Sequence, residues 1–157
     1  MTAETAYTNI RTGVANYIIA NVDWVTALET DIFDYTPDDI AIVFGHLPSI
    51  VVDFDPRTVN EWTDMGQGAL EGVPVMIQVF TEIEPDDTTH GRDASQDVAD
   101  KLSELENLFR SSPSVGGLVK GSSIGTSKIE LLELAAVKLA GVTARWAWFT
   151  LIVVIAR

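Results

Sequence analysis

His46 and His90 are the only imidazoles in this 157-residue chain. His90 stands among Asp86, Asp87 and Asp93, and carboxylates beside an imidazole are a donor set for a divalent ion. Their spacing matches no metal-binding loop, and in a chain this acidic an aspartate near any residue is expected by chance. Asp53 and Asp55 alternate along an apolar run, which puts both carboxylates on one strand face as an acid/base pair requires. The plainer reading is a pair of strand-end acids facing solvent, since no pocket can be argued around them. The glycine-rich residues 116–125 lack the Gly-Lys-Ser/Thr ending of a phosphate loop, and no serine sits in a Gly-x-Ser-x-Gly turn. With no cysteine there is neither a thiolate ligand nor a disulfide. The expectation is a non-enzyme with no catalytic residue, no metal and no cofactor.

Charge carries more information than any of these motifs. The chain has 23 Asp and Glu against 10 Lys and Arg, a net charge of −13, yet 46% of its residues are hydrophobic. Acidic disordered chains are poor in apolar residues, so here the acid coats a domain that folds. Such a surface disfavours nucleic acid, whose phosphates need Lys and Arg, and it disfavours anionic membranes. It suits strong salt, where ions screen the self-repulsion of the compact state. No basic n-region or apolar core of a signal peptide opens the chain. The uncharged run WAWFTLIVVIA, residues 146–156, falls short of the about 20 residues a membrane helix needs. Its β-branched and aromatic content fits a strand with both faces at least partly buried.

The elements follow from periodicity. Residues 2–20 form a helix, with Ile10, Val14, Tyr17 and Ile18 on one face. Residues 36–39, TPDD, give a capping Thr, Pro at the first helical position and two acids, so a short helix or turn is expected through residue 44. Residues 49–55 are a strand ended by Pro56, and residues 60–72 are a polar, glycine-bearing stretch carrying Trp62 and Met65. In residues 73–84, Val73, Val75, Ile77, Val79 and Ile83 share a face, with Gln78 and Glu82 on the other. Residues 84–91 are a loop, and residues 93–110 a helix striped by Val98, Leu102, Leu105, Leu108 and Phe109.

The Gly/Ser-rich residues 111–127 read as a long mobile loop, with room for a short strand at 117–121. Residues 128–139 fit a helix or a strand, and a hairpin partner for the last strand is favoured, with Ala140 and Gly141 turning the chain. The sum is one α+β domain over residues 1–157: an antiparallel sheet, two main helices packed on one face, and long loops. Trp146 and Trp148 share a strand face and fill the core or a ring interface. Trp62 is either core or a partner's anchor.

This order of elements, with VPVMIQVFTEI, DVADKLSELENLF and a terminal W-x-W-F-x-L-x-V strand, resembles the tail-terminator (tail-completion) proteins of long-tailed viruses. More loosely it is similar to neighbouring neck proteins. With the acidic surface, the resemblance implies a tailed virus of a haloarchaeon. It implies a structural virion protein at the head-tail junction, assembled in the host cytoplasm. There a homo-hexameric ring caps the tail tube, meets the head connector proteins, and lets DNA pass without specific binding. The two glycine-bearing stretches would then supply the interface, with Trp62, Met65, Leu118 and Lys120 as its candidate residues. The alternatives are a head-completion or connector-adaptor ring, or a halophilic soluble binding domain.

Overall fold

The computed structural model of the chain describes residues 3–30, 46–54, 61–64, 69–83, 88, 92–127, 135–139 and 142–156. Helix α1 spans Ala3–Asn21, and its Ile10, Val14 and Ile18, spaced by four, are all buried. Helix α2 spans Arg92–Ser111. It opens with Asp93 in its first turn and closes with Arg110 in its last, each matched to the nearby end of the helix dipole. Pro113 follows two residues beyond, where the chain has no further helical hydrogen bond to lose. Of the expected stripe, Val98, Leu102, Leu105 and Phe109 are fully buried, and Leu108 packs at its margin.

Among the described residues seven strands make one sheet: β1 (Ala27–Glu29), β2 (Ser49–Phe54), β3 (Glu61–Asp64), β4 (Ala69–Ile83), β5 (Gly121–Ser127), β6 (Ala135–Leu139) and β7 (Val142–Ala156). Its axis is the antiparallel pair of long strands β4 and β7, in register from Leu70 opposite Ala156 to Ile83 opposite Thr143. Along the outer side of β4, β2 faces Val75 to Phe80 and β3 faces Ala69 to Gly72, both antiparallel. They act as one interrupted strand. The outer side of β7 is arranged alike, with β5 along Phe149 to Val154 and β6 along Val142 to Trp146. The sheet is therefore four antiparallel strand lines, two continuous and two broken, with the short β1 added parallel to β2.

Both helices lie on one face. Ile50, Val52, Val73, Val75, Ile77, Val79, Ala147, Phe149, Leu151 and Val153 point into the same cluster as the two helical stripes. Phe109 meets Phe149 and Tyr17 at centroid distances of 6.1 and 5.9 Å, tying α2 to the sheet and to α1. The alternation of residues 73–79 is thus borne out, and the expectation of an α+β fold with two helices on an antiparallel sheet holds. The opposite face is also dry: Val51, Met76, Gln78, Phe80, Trp148 and Thr150 are buried. There Trp146 donates its indole N–H to Gln78 Oε1 (3.1 Å) and stacks on Phe80. Burial of β7 on both faces accords with its uncharged, β-branched sequence.

Two stretches depart from their expected loop character. Residues 60–72 supply β3 and the first residues of β4, so the strand expected from Val73 starts at Ala69. Residues 111–127 are a run of turns followed by the whole of β5. Glycine and serine bring little side chain to pack, so their sequence signal is that of a loop. An edge strand needs only backbone pairing, which the long strand β7 supplies. The hairpin reading of residues 128–139 is met by β6, while residues 128–134 lie outside the described residues. The expected helix or turn over 36–44 lies outside them as well, as does all of the 84–91 loop other than Thr88.

Candidate interaction surface

The turn between α2 and β5 shows how the chain fixes its glycine-rich segment. Val115, Gly116 and Gly117 have φ of +52°, +65° and +92°, a left-handed run that glycine enters at little cost and valine does not. Hydrogen bonds close it. Gly116 N–H donates to Ser112 Oγ (3.1 Å), and Gly117 N–H to Ser114 O (3.1 Å) and Oγ (3.2 Å). Val119 N–H donates to Ser114 O (3.0 Å), and Lys120 N–H reaches Val154 O on β7 (2.9 Å).

Side chains hold the same turn against α1. Val115 is buried in the core cluster, and a Cβ on Gly116 would meet the Tyr17 ring at 3.2 Å. Leu118 lies over Gly13 of α1, so close that a Cβ there would sit 2.5 Å from its Cδ2. Leu118 nonetheless stays 40% exposed, and Lys120 is exposed. The segment is a hydrogen-bonded turn leading into a strand, where its composition suggests a long loop. An isolated glycine within the α1 stripe, Gly13, is the sequence signal that a close packing contact was required there.

Trp62 belongs to β3, opposite Glu71 of β4, and Met65 lies outside the described residues. The strand that carries Trp62 and the turn that carries Leu118 and Lys120 do not lie side by side. Between β3 and β5 stand β4 and β7, three strand spacings or about 14 Å of sheet. Trp62 marks one side of the sheet; Leu118 and Lys120 approach the other.

Of the acidic candidates, Asp53 and Asp93 are among the described residues. Asp53 ends β2 and is tied down: its Oδ1 accepts from Arg11 Nη1 (3.2 Å) and from Phe54 N–H (2.8 Å). Arg11 also lies 5.6 Å from the Phe54 ring centroid, so this carboxylate anchors α1 to the end of β2. Asp55, Asp86, Asp87 and His90 lie outside the described residues; Asp93 is exposed in the first turn of α2, and His46 is exposed ahead of β2. Among the described residues no three His, Cys, Asp or Glu side chains are grouped to hold a metal ion. No helix among them is long and apolar enough to cross a membrane.

Trp24 lies in the segment that follows α1. Its indole N–H donates to Glu104 Oε2 (2.8 Å) and its ring carries Lys101 Nζ at 5.2 Å, clamping the chain after α1 onto α2. Arg11, Trp24 and their partners thus tie α1 and the segment after it to β2 and α2. Among the described residues, the outer strand lines with the Leu118 turn beside one of them make the candidate surface. No protein-family model matches the chain, and a search of curated proteins finds no match.

Proposed function

We propose that this chain is a structural virion protein of the head-tail junction in a tailed haloarchaeal virus. In this reading it is a ring-forming tail terminator that caps the tail tube and joins it to the connector. The observation that carries the reading is the order of elements: a leading helix, a strand line returning through a hairpin, a helix, a second strand line and a long terminal strand. The position of the two glycine-bearing stretches adds to it. They lie on opposite sides of the sheet, and a closed ring needs two different surfaces on each subunit. The acidic coat suits assembly in strong salt and repels DNA phosphates, as a conduit for DNA requires. No catalysis, metal or cofactor enters this role.

Native mass measurement in molar KCl, with and without tail tubes of haloarchaeal tailed viruses, tests the proposal. The expected result is a species at six times the 17.1 kDa chain mass, or co-sedimentation with the tubes. A chain that stays monomeric and leaves the tubes alone would remove the reading.

A further inference from the structure

β5 ends the sheet on the β7 side, and among the described residues no strand pairs with its outer edge. Natural sheets blunt such an edge with charge, proline or a covering element. Gly121–Ser127 carries neither charge nor proline. Ser123 and Gly125 are exposed, and a Cβ on Gly121 would meet nothing within 4 Å. One device is present, a register shift between Ile124 and Ser127, which limits the regular edge to the first residues of the strand.

The turn and strand that form this edge are free of acid. Residues 111–127 contain Lys120 and no Asp or Glu, in a chain of net charge −13. Residues 61–71, which hold β3 and the hairpin into β4, contain Glu61, Asp64 and Glu71 and no Lys or Arg. Glu71 is buried, which leaves Glu61 and Asp64 as the other two acids of this stretch. Direction agrees as well. β3 opposes β4, β4 opposes β7 and β7 opposes β5, so β3 and β5 run in opposite directions at the same end of the sheet. A second copy that continues the sheet beyond β5 presents its own β3 antiparallel.

We propose that β5 is the edge onto which a second copy of this chain adds its β3, extending the sheet head to tail from subunit to subunit. This deepens the ring reading and rests on it, because a heterologous contact closes into a ring or runs on as a filament. Along β5 the acid-free strip beside Lys120 meets the acidic hairpin.

The absence of native cysteine makes cross-linking a clean test. Ser123→Cys is combined in turn with cysteine at each of positions 61, 62, 63 and 64, which scans the register. Antiparallel partners have Cα atoms about 4.5–5.5 Å apart, within disulfide range. Each variant is checked by circular dichroism and oxidised in molar KCl. At least one double variant should give a reducible ladder of dimers, trimers and larger species, while each single variant stays monomeric on a denaturing gel. Lys120→Glu in that background should lower the cross-linked yield severalfold in low salt and much less in molar KCl, where charge is screened.

A dominant dimer from Ser123→Cys alone would mean β5 pairing with β5 and would overturn the proposal. Rings by native mass with no cross-link in any double variant would overturn this interface and leave the ring standing. A monomer in every condition would overturn both.

Discussion

Gly13→Ala tests the seat of the Leu118 turn, and its sign depends on two opposing magnitudes. In a helix interior, alanine is worth about 0.8–1 kcal/mol over glycine. Here the new methyl would lie 2.5 and 2.8 Å from the two Leu118 methyls, too close for Leu118 to remain. Leu118 is 40% exposed and sits at the end of a flexible side chain, so it moves outward rather than breaking the helix. Full burial of a leucine is worth about 1.5–3 kcal/mol, so losing the buried part costs roughly 1–2 kcal/mol. Gly13→Ala alone should therefore be neutral or destabilising by up to about 1 kcal/mol, against the propensity scale. With Leu118→Ala already present the obstacle is gone, and the same change should stabilise by about 0.8–1 kcal/mol. The coupling is read by urea unfolding of the four proteins in one molar KCl buffer, with unchanged m-values. Equal effects of Gly13→Ala in both backgrounds, within about 0.3 kcal/mol, would refute the packing of the turn on α1.

Three further outcomes are expected. The melting temperature should rise between low salt and molar KCl, since the Debye length shrinks to about 3 Å at 1 M and the −13 charge is screened; a salt-independent value would remove the argument for salt adaptation. Asp53→Asn keeps an acceptor for Phe54 N–H but discharges the half-buried pair with Arg11, and should cost about 1–2 kcal/mol in urea unfolding; no change would mean the pair is fully screened. Gly117→Ala should destabilise by about 1–2 kcal/mol through its φ of +92° alone, for a Cβ there meets nothing, whereas Gly121→Ala, equally open but without that φ, should be neutral or stabilising; equal effects would show that the turn does not hold its left-handed run.

Much of the fold was legible because its signals are side-chain signals. The four-residue spacing of Ile10, Val14 and Ile18 and the alternation of Val73, Val75, Ile77 and Val79 reappear as the two sides of one core. β3 and β5 were illegible for the converse reason. EWTD and GSSIGTS carry little apolar alternation in sequence, and their strand state comes from long-range pairing with β4 and β7 that no local window contains. The left-handed run at Val115 was hidden as well, because valine rarely adopts such a φ and only the adjacent glycines hint at it. The candidate interface was read as residues in two loops. The structure turns those loops into the two flanks of a sheet, which changes the question from which side chains protrude to which backbone edges are open.

The central claim is a ring at the end of a tail tube, and electron microscopy of the chain in molar KCl, alone and mixed with haloarchaeal viral tail tubes, tests it most directly. The account expects six-fold rings free in solution or seated on tube ends, with the sheet continuous from one subunit to the next. Twelve-fold rings would move the chain to the connector, and tube ends left bare among featureless monomers would contradict the account.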